Sequence, residues 1–147
     1  MSAAIKNKPT SKRKTWAEKM LPDKVAVVKI CESDFADIPA GSTMLIATPT
    51  IVDKYIRQIP KGKFTDIKQI RKDLAAENNA EYSCPVTTGI FLRIVSENAN
   101  EELQKGKSIN KITPFWRVLN AKSPAAKKLS FGTDLLIQQQ KNEGIIK

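Results

Sequence analysis

The chain has no histidine and only two cysteines, Cys31 and Cys84, among its 147 residues. Without imidazole, the commonest general base near neutral pH is missing. A zinc site of the usual Cys/His type cannot be assembled from two thiols alone. Two cysteines also make no disulfide framework, which fits a reducing, cytoplasmic setting. Long apolar runs are absent as well. None approaches the ~20 residues that span a bilayer, so no membrane partner is expected. The start, Met1 to Lys6, leads into a lysine-rich polar stretch rather than an apolar core, so no signal peptide is expected. No motif calls for a cofactor or a metal.

Acidic residues are in short supply: 15 Asp and Glu stand against 25 Lys and Arg, a formal charge of +10. Such an excess concentrates polyanions at the surface and makes nucleic acid the expected partner. With 41% hydrophobic and 27% charged residues, the composition is that of a globular protein, and the length suits one domain. Residues 1–20 hold Lys6, Lys8, Lys12, Arg13, Lys14 and Lys19 against the single acid Glu18. They read as a basic flexible arm, either tracking phosphates or solubilising the chain, with Trp16 as its anchor on the domain. Residues 21–147 read as one domain.

Within it, the apolar run from Val25 to Ile30 predicts a strand, and Ser42 to Ile46 a second extended piece. Thr50 is a candidate cap for a helix carrying Ile51, Val52, Tyr55, Ile56 and Ile59, which the turn Pro60-Lys61-Gly62-Lys63 ends. Thr65 and Asp66 open a second helix with Ile67, Ile70 and Leu74 on one side and Lys68, Arg71 and Lys72 on the other. After a polar connection from Glu77 to Glu81, Pro85 opens a third helix. Its expected apolar face is Val86, Ile90, Ile94, Val95, Ala99 and Leu103, and Gly106 its end. A short helix from Ser123-Pro124 and a last, thinly apolar one after Thr133 complete the pattern, the latter expected to lie on the surface or fray. Helices in this order with an extended hairpin after the third predict a mainly α fold, a winged helix-turn-helix with short β segments.

One stretch combines unusual features: Ile112-Thr113-Pro114-Phe115-Trp116-Arg117-Val118-Leu119. It is apolar, opens on a proline, holds one arginine and two adjacent large aromatics, and suits a pocket wall without nucleophile or base. Read as a strand, it alternates Trp116 and Val118 with Phe115, Arg117 and Leu119. Together with Ile59-Pro60-Lys61-Gly62-Lys63-Phe64-Thr65, it resembles the DNA-binding domain of the O6-alkylguanine-DNA alkyltransferases, the methylated-DNA–protein-cysteine methyltransferase family. The first stretch is similar to that family's active-site motif, Pro followed by Cys, His, Arg and Val. The second is similar to its opening turn and strand. The resemblance covers about residues 44–119 and implies an alkyltransferase C-terminal-domain-like fold, with the helices from Asp66 and Pro85 as the helix-turn-helix.

The departures from the motif imply a change of function. Phe115 stands at the alkyl-accepting Cys and Trp116 at the activating His, and neither ring can act as a thiolate or a base. The nearest model is an alkyltransferase-like protein without catalysis, in which a Trp replaces the Cys. Ile67 stands at the family's phosphate-managing Tyr and Cys84 at its wedging Arg, which weakens support for an extruded base. The expected function is therefore non-catalytic binding of duplex DNA, with sensing of alkylated bases in DNA repair as its extended form. A repair-protein partner is conceivable, and a monomer is expected. Candidate DNA contacts are Lys61, Lys63, Lys68 and Lys72 on phosphates, Thr87 and Thr88 at the start of the third helix, and Arg93 beyond them. Pro114, Phe115, Trp116 and Arg117 are candidate pocket-lining residues, the two rings either stacking on a base or filling the cavity. The alternatives are a small-molecule or protein-interaction domain on the same scaffold, or an enzyme of other chemistry using Cys84, or Asp66 and Glu81 as acid and base.

Overall fold

The computed structural model describes residues 15–147. The arginine and lysines of the arm up to Lys14 lie outside them. The fold is mostly helical, with one small mixed sheet. Its elements are α1 (Trp16–Lys19), β1 (Val27–Ile30), β2 (Thr43–Ile46), α2 (Pro49–Arg57), α3 (Ile67–Glu77), β3 (Tyr82–Ser83), α4 (Pro85–Gln104), a 3₁₀ turn (Phe115–Arg117), α5 (Pro124–Lys127) and α6 (Asp134–Asn142).

The sheet runs in the order β1-β2-β3, with β1 antiparallel and β3 parallel to β2. Leu45 on β2 is completely buried and joins Val52 and Ile56 of α2, Ile70 and Leu74 of α3, and Leu92 and Val95 of α4 in one core. The longest helix, α4, is its spine: α1, α2, α3, α5 and the 3₁₀ turn all pack on it.

Local chemistry explains where the helices begin. The Thr48 hydroxyl accepts the Ile51 N–H with Pro49 in the first turn, so Thr48 caps α2, two residues ahead of the expected Thr50. Asp66, rather than Thr65, caps α3 by accepting the Gln69 N–H. Cys84 caps α4, its sulfur accepting the Thr87 N–H at 3.5 Å. Gly106, at φ +101°, follows the end of α4 in a left-handed conformation natural to glycine.

Three expectations are corrected. The buried side of α4 is Thr88, Leu92, Val95, Ser96, Glu97 and Ala99, while Val86 and Ile90 face outward. Val95 and Ala99 are buried as expected, but the apolar pattern misplaced Val86 and Ile90 because core positions of this helix carry hydroxyls and a carboxylate. Thr88 donates to the Cys84 carbonyl and Ser96 to the Leu92 carbonyl, so each satisfies its polar atom within the helix and packs as a small side chain. No extended hairpin follows α4 among the described residues; residues 105–123 are turns, and the sheet lies earlier in the chain. Finally, α6 does not lie loosely on the surface. Leu136 and Gln140 are buried, and the helix packs on the 3₁₀ turn.

Candidate nucleic-acid interface and the 112–119 segment

The segment expected to be a strand is a turn. Pro114, its φ restrained by the ring, precedes N–H donation from Arg117 to the Pro114 carbonyl and from Val118 to the Phe115 carbonyl. The i→i+3 geometry replaces alternation, so Phe115 and Trp116 both turn inward. Phe115 is fully buried, edge-on to Trp116 at 5.3 Å and to Phe131 at 5.6 Å between ring centroids. Pro114 and Trp116 are buried beside it. Of the two open readings for Phe115, wall or filler, its burial matches the filler.

Arg117 is the centre of a polar node. Its Nε and Nη2 donate to the two carboxylate oxygens of Glu143 at 2.9 Å each, and its Nη1 donates to the Ile59 carbonyl at 2.7 Å. The Trp116 indole N–H donates to Glu143 Oε2 at 2.7 Å, and the Gly62 N–H to Oε1 at 3.0 Å. Burial pushes the Glu143 carboxyl up, but the bonds from Arg117, Gly62 and Trp116 outweigh it and hold the pKa at about 2. Gly62 has φ +85°, and a Cβ there would stand 3.3 Å from the Glu143 carbonyl oxygen, so both the turn and its approach to α6 require glycine.

Two more ties hold the segment. The Gln140 side-chain amide donates to the carbonyls of Trp116 and Leu119 at 2.9 and 2.6 Å. The Thr113 hydroxyl donates to Asp53 on α2, which also pairs with Arg57. Glu143 and Gln140 were not among the residues singled out from sequence. A Glu-Gly pair closing a polar helix carries no local sign that it serves an arginine 26 positions earlier.

The remaining candidates fall in separate places. Lys61 borders a cleft of about 360 Å³ with Arg57, Pro114, Trp116 and Arg117. Lys68 and Lys72 border another, of about 570 Å³, with Arg71, Asp37 and Tyr82. There Arg71 grips Asp37 with two bonds of 3.1 and 2.8 Å, which keep the Asp37 carboxyl below its ordinary range, and also donates to the Ser83 carbonyl. Lys63 is exposed in the turn after Pro60. Lys61, Lys63, Lys68 and Lys72 form no ion pair among the described residues.

Thr88 is buried and its hydroxyl is committed to Cys84, so it is not presented to a ligand. The Thr87 hydroxyl oxygen is also buried. Arg93 borders a third groove, of about 760 Å³, between α1, α4 and α5. Trp16 of α1 packs there, with the Arg93 guanidinium 5.4 Å and the Lys19 ammonium 4.2 Å from its ring. Val86, Gly89 and Ile90 form the groove's apolar floor, Lys128 stands at its α5 side, and among the described residues no carboxylate lines it, though Arg93 pairs with the buried Glu97 at 3.5 Å. A Cβ on Gly89 would meet nothing within 4 Å, so a ligand can approach the helix backbone closely.

Cys84 is buried and occupied as a helix cap. Asp66 is occupied likewise, and Glu81 accepts bonds from Thr43 at the start of the central strand β2. The two carboxylates therefore have separate structural partners.

No family model, curated protein or solved structure matches this chain.

Proposed function

We propose that this chain binds duplex DNA without alkyl transfer, on a scaffold like the alkyltransferase DNA-binding domain, with α3 and α4 as its helix-turn-helix. The observation that carries the proposal is the groove at the start of α4, where an apolar floor is flanked by Lys19 and Lys128, and by Arg93 paired with the buried Glu97, with no carboxylate among the described lining residues. Cations so placed suit phosphates, and small or apolar side chains between them suit the sugars and base edges of a groove wall. Lys68 and Lys72 on α3 and Lys61 and Lys63 in the preceding turn add sequence-independent phosphate contacts.

The resemblance gains support from the bond between Trp116 and Glu143. A catalytic base is held by a third group, commonly a carboxylate, and here a carboxylate holds the residue standing at the family's His. With indole there, the carboxylate serves structure rather than proton transfer. Phe115 fills the place of the nucleophile, so the proposal is for the duplex surface rather than an extruded base.

Fluorescence anisotropy with matched duplexes, with and without O6-methylguanine, tests this at several salt concentrations. The expected result is salt-sensitive binding of equal strength to both, with no methyl group moved to the protein. Lys19→Gln and Lys128→Gln together should flatten the salt slope by about 2. Binding absent even at low salt would overturn the proposal, and a strong preference for the lesion would overturn the part concerning Phe115.

A further inference from the structure

We infer that the cleft between the end of α2, the turn after it and the end of α6 is a binding site for a small phosphomonoester, with Lys61 and Arg57 holding the phosphoryl group. The cleft measures about 360 Å³, which is room for a mononucleotide or a sugar phosphate. It shares no lining residue with the groove at the start of α4, so its occupancy is independent of duplex binding there.

The charge offered to a ligand follows from which groups are already committed. Arg57, Lys61 and Arg117 line the cleft against one carboxylate, Glu143. Glu143 accepts from Gly62, from Trp116 and twice from Arg117, and its side chain is only 4% exposed, so it serves the node rather than a ligand. Arg117 is consumed in the same node, with its Nη1 on the Ile59 carbonyl. Arg57 is committed only in part. Its Nε donates to Asp53 at 3.0 Å and its Nη1 to the Lys111 carbonyl at 3.2 Å, which ties the guanidinium between α2 and the chain before Ile112. Its Nη2 has no protein partner among the described residues. Lys61 has no ion pair among them either, and the bond from the Gly62 N–H to Glu143 fixes the backbone next to it.

Donors prevail among the remaining polar groups. Asn142 accepts from Gln138 through its amide oxygen, which leaves its own NH₂ group for another acceptor. The side-chain amides of Asn110 and Gln139 make no hydrogen bond among the described residues. An oxygen-rich anion satisfies such a set of cations and N–H groups together. A phosphoryl group brings three terminal oxygens and nearly two charges, where a carboxylate brings two oxygens and one charge. The buried lining residues Ile112, Pro114 and Trp116 supply an apolar wall for the ring or sugar that carries the phosphate. The same group ends a 5′-phosphorylated DNA strand, so a duplex end is a second source of it.

The two tryptophans separate the sites experimentally. Trp116 lines this cleft and Trp16 the α4 groove, so their indole N–H signals in NMR spectra of the nitrogen-15-labelled full chain report one site each, with Trp16→Phe assigning them. A nucleoside 5′-monophosphate at near-physiological salt should move the Trp116 signal saturably, while the nucleoside alone and acetate should not. Lys61→Gln, at an exposed position, should weaken this binding by about ten-fold. Lys63→Gln, an equal loss of charge in the same turn but outside the cleft, should weaken it by less than about two-fold. Short duplexes with and without a 5′-phosphate decide the source. A Trp116 response to the phosphorylated duplex at lower concentration than to the monophosphate assigns the strand end, and the reverse order assigns a free small molecule. A Trp116 signal that does not move or never saturates, equal movement by acetate, a response confined to Trp16, or equal effects of the two lysine variants would each overturn the inference.

Discussion

Replacing Glu143 by Gln removes the anion from a node that four donors share: two from Arg117, one from Trp116 and one from Gly62. The Glu143 side chain is only 4% exposed and that of Arg117 15%, so water can compensate little of the loss. The pKa of about 2, against an ordinary value of 4.5, corresponds to about 3 kcal/mol of stability at neutral pH. Removing one partner of a buried ion pair costs about 3–5 kcal/mol, in the same range. For a chain of this length, that lowers the melting temperature by roughly 10 °C. The pH dependence follows from the sign of the shift. A carboxyl whose folded pKa is depressed stabilises fully above its ordinary value and loses that contribution as pH falls toward the folded value. Urea unfolding of both proteins at neutral pH, about pH 5 and about pH 3 should therefore show a wide gap that narrows as the acid protonates. A cost below about 1 kcal/mol at neutral pH, or a gap that stays constant down to about pH 3, would refute the role given to this node.

Phe115→Ala should cost about 3–5 kcal/mol in urea unfolding while duplex affinity, measured where the variant is folded, stays unchanged; a change in affinity would make Phe115 a ligand contact. Thr88→Val should leave DNA affinity unaltered and shift stability by no more than about 1 kcal/mol, since the hydroxyl serves only the Cys84 carbonyl. Weaker binding by that variant would contradict the burial of Thr88. Gly62→Ala should destabilise by about 1–2 kcal/mol through its positive φ, and further through crowding on Glu143; a neutral or stabilising result in thermal unfolding would sink that reading.

Much of the helical framework can be read in the chain because its signals are local. Thr48-Pro49, Asp66 and Pro85 mark starts within a residue or two of those expected, and the Gly106 end is met. Faces were harder to read than positions. A pattern of apolar letters misplaced the α4 core because Thr88 and Ser96 satisfy their own hydroxyls, leaving Val86 and Ile90 for the surface. Pro114 converted an alternating stretch into a turn, a choice set by hydrogen bonds to α6 that no window around residue 114 contains. Gln140 and Glu143 looked like solvated residues of a weak helix. Each draws its meaning from partners more than 20 positions away. The prominence of Phe115, Trp116 and Arg117 was legible from their composition alone. That the three are locked by Glu143 belongs to tertiary structure.

The central claim is that this chain holds duplex DNA through its cations, with the groove at the start of α4 as the centre of contact. Its most direct test is the slope of the logarithm of duplex affinity against the logarithm of salt concentration, for the natural chain and the Lys19→Gln, Lys128→Gln variant. The account predicts a steep negative slope for the natural chain, flattened by about 2 in the variant. Identical slopes for the two, or no measurable binding at the lowest salt, would contradict it.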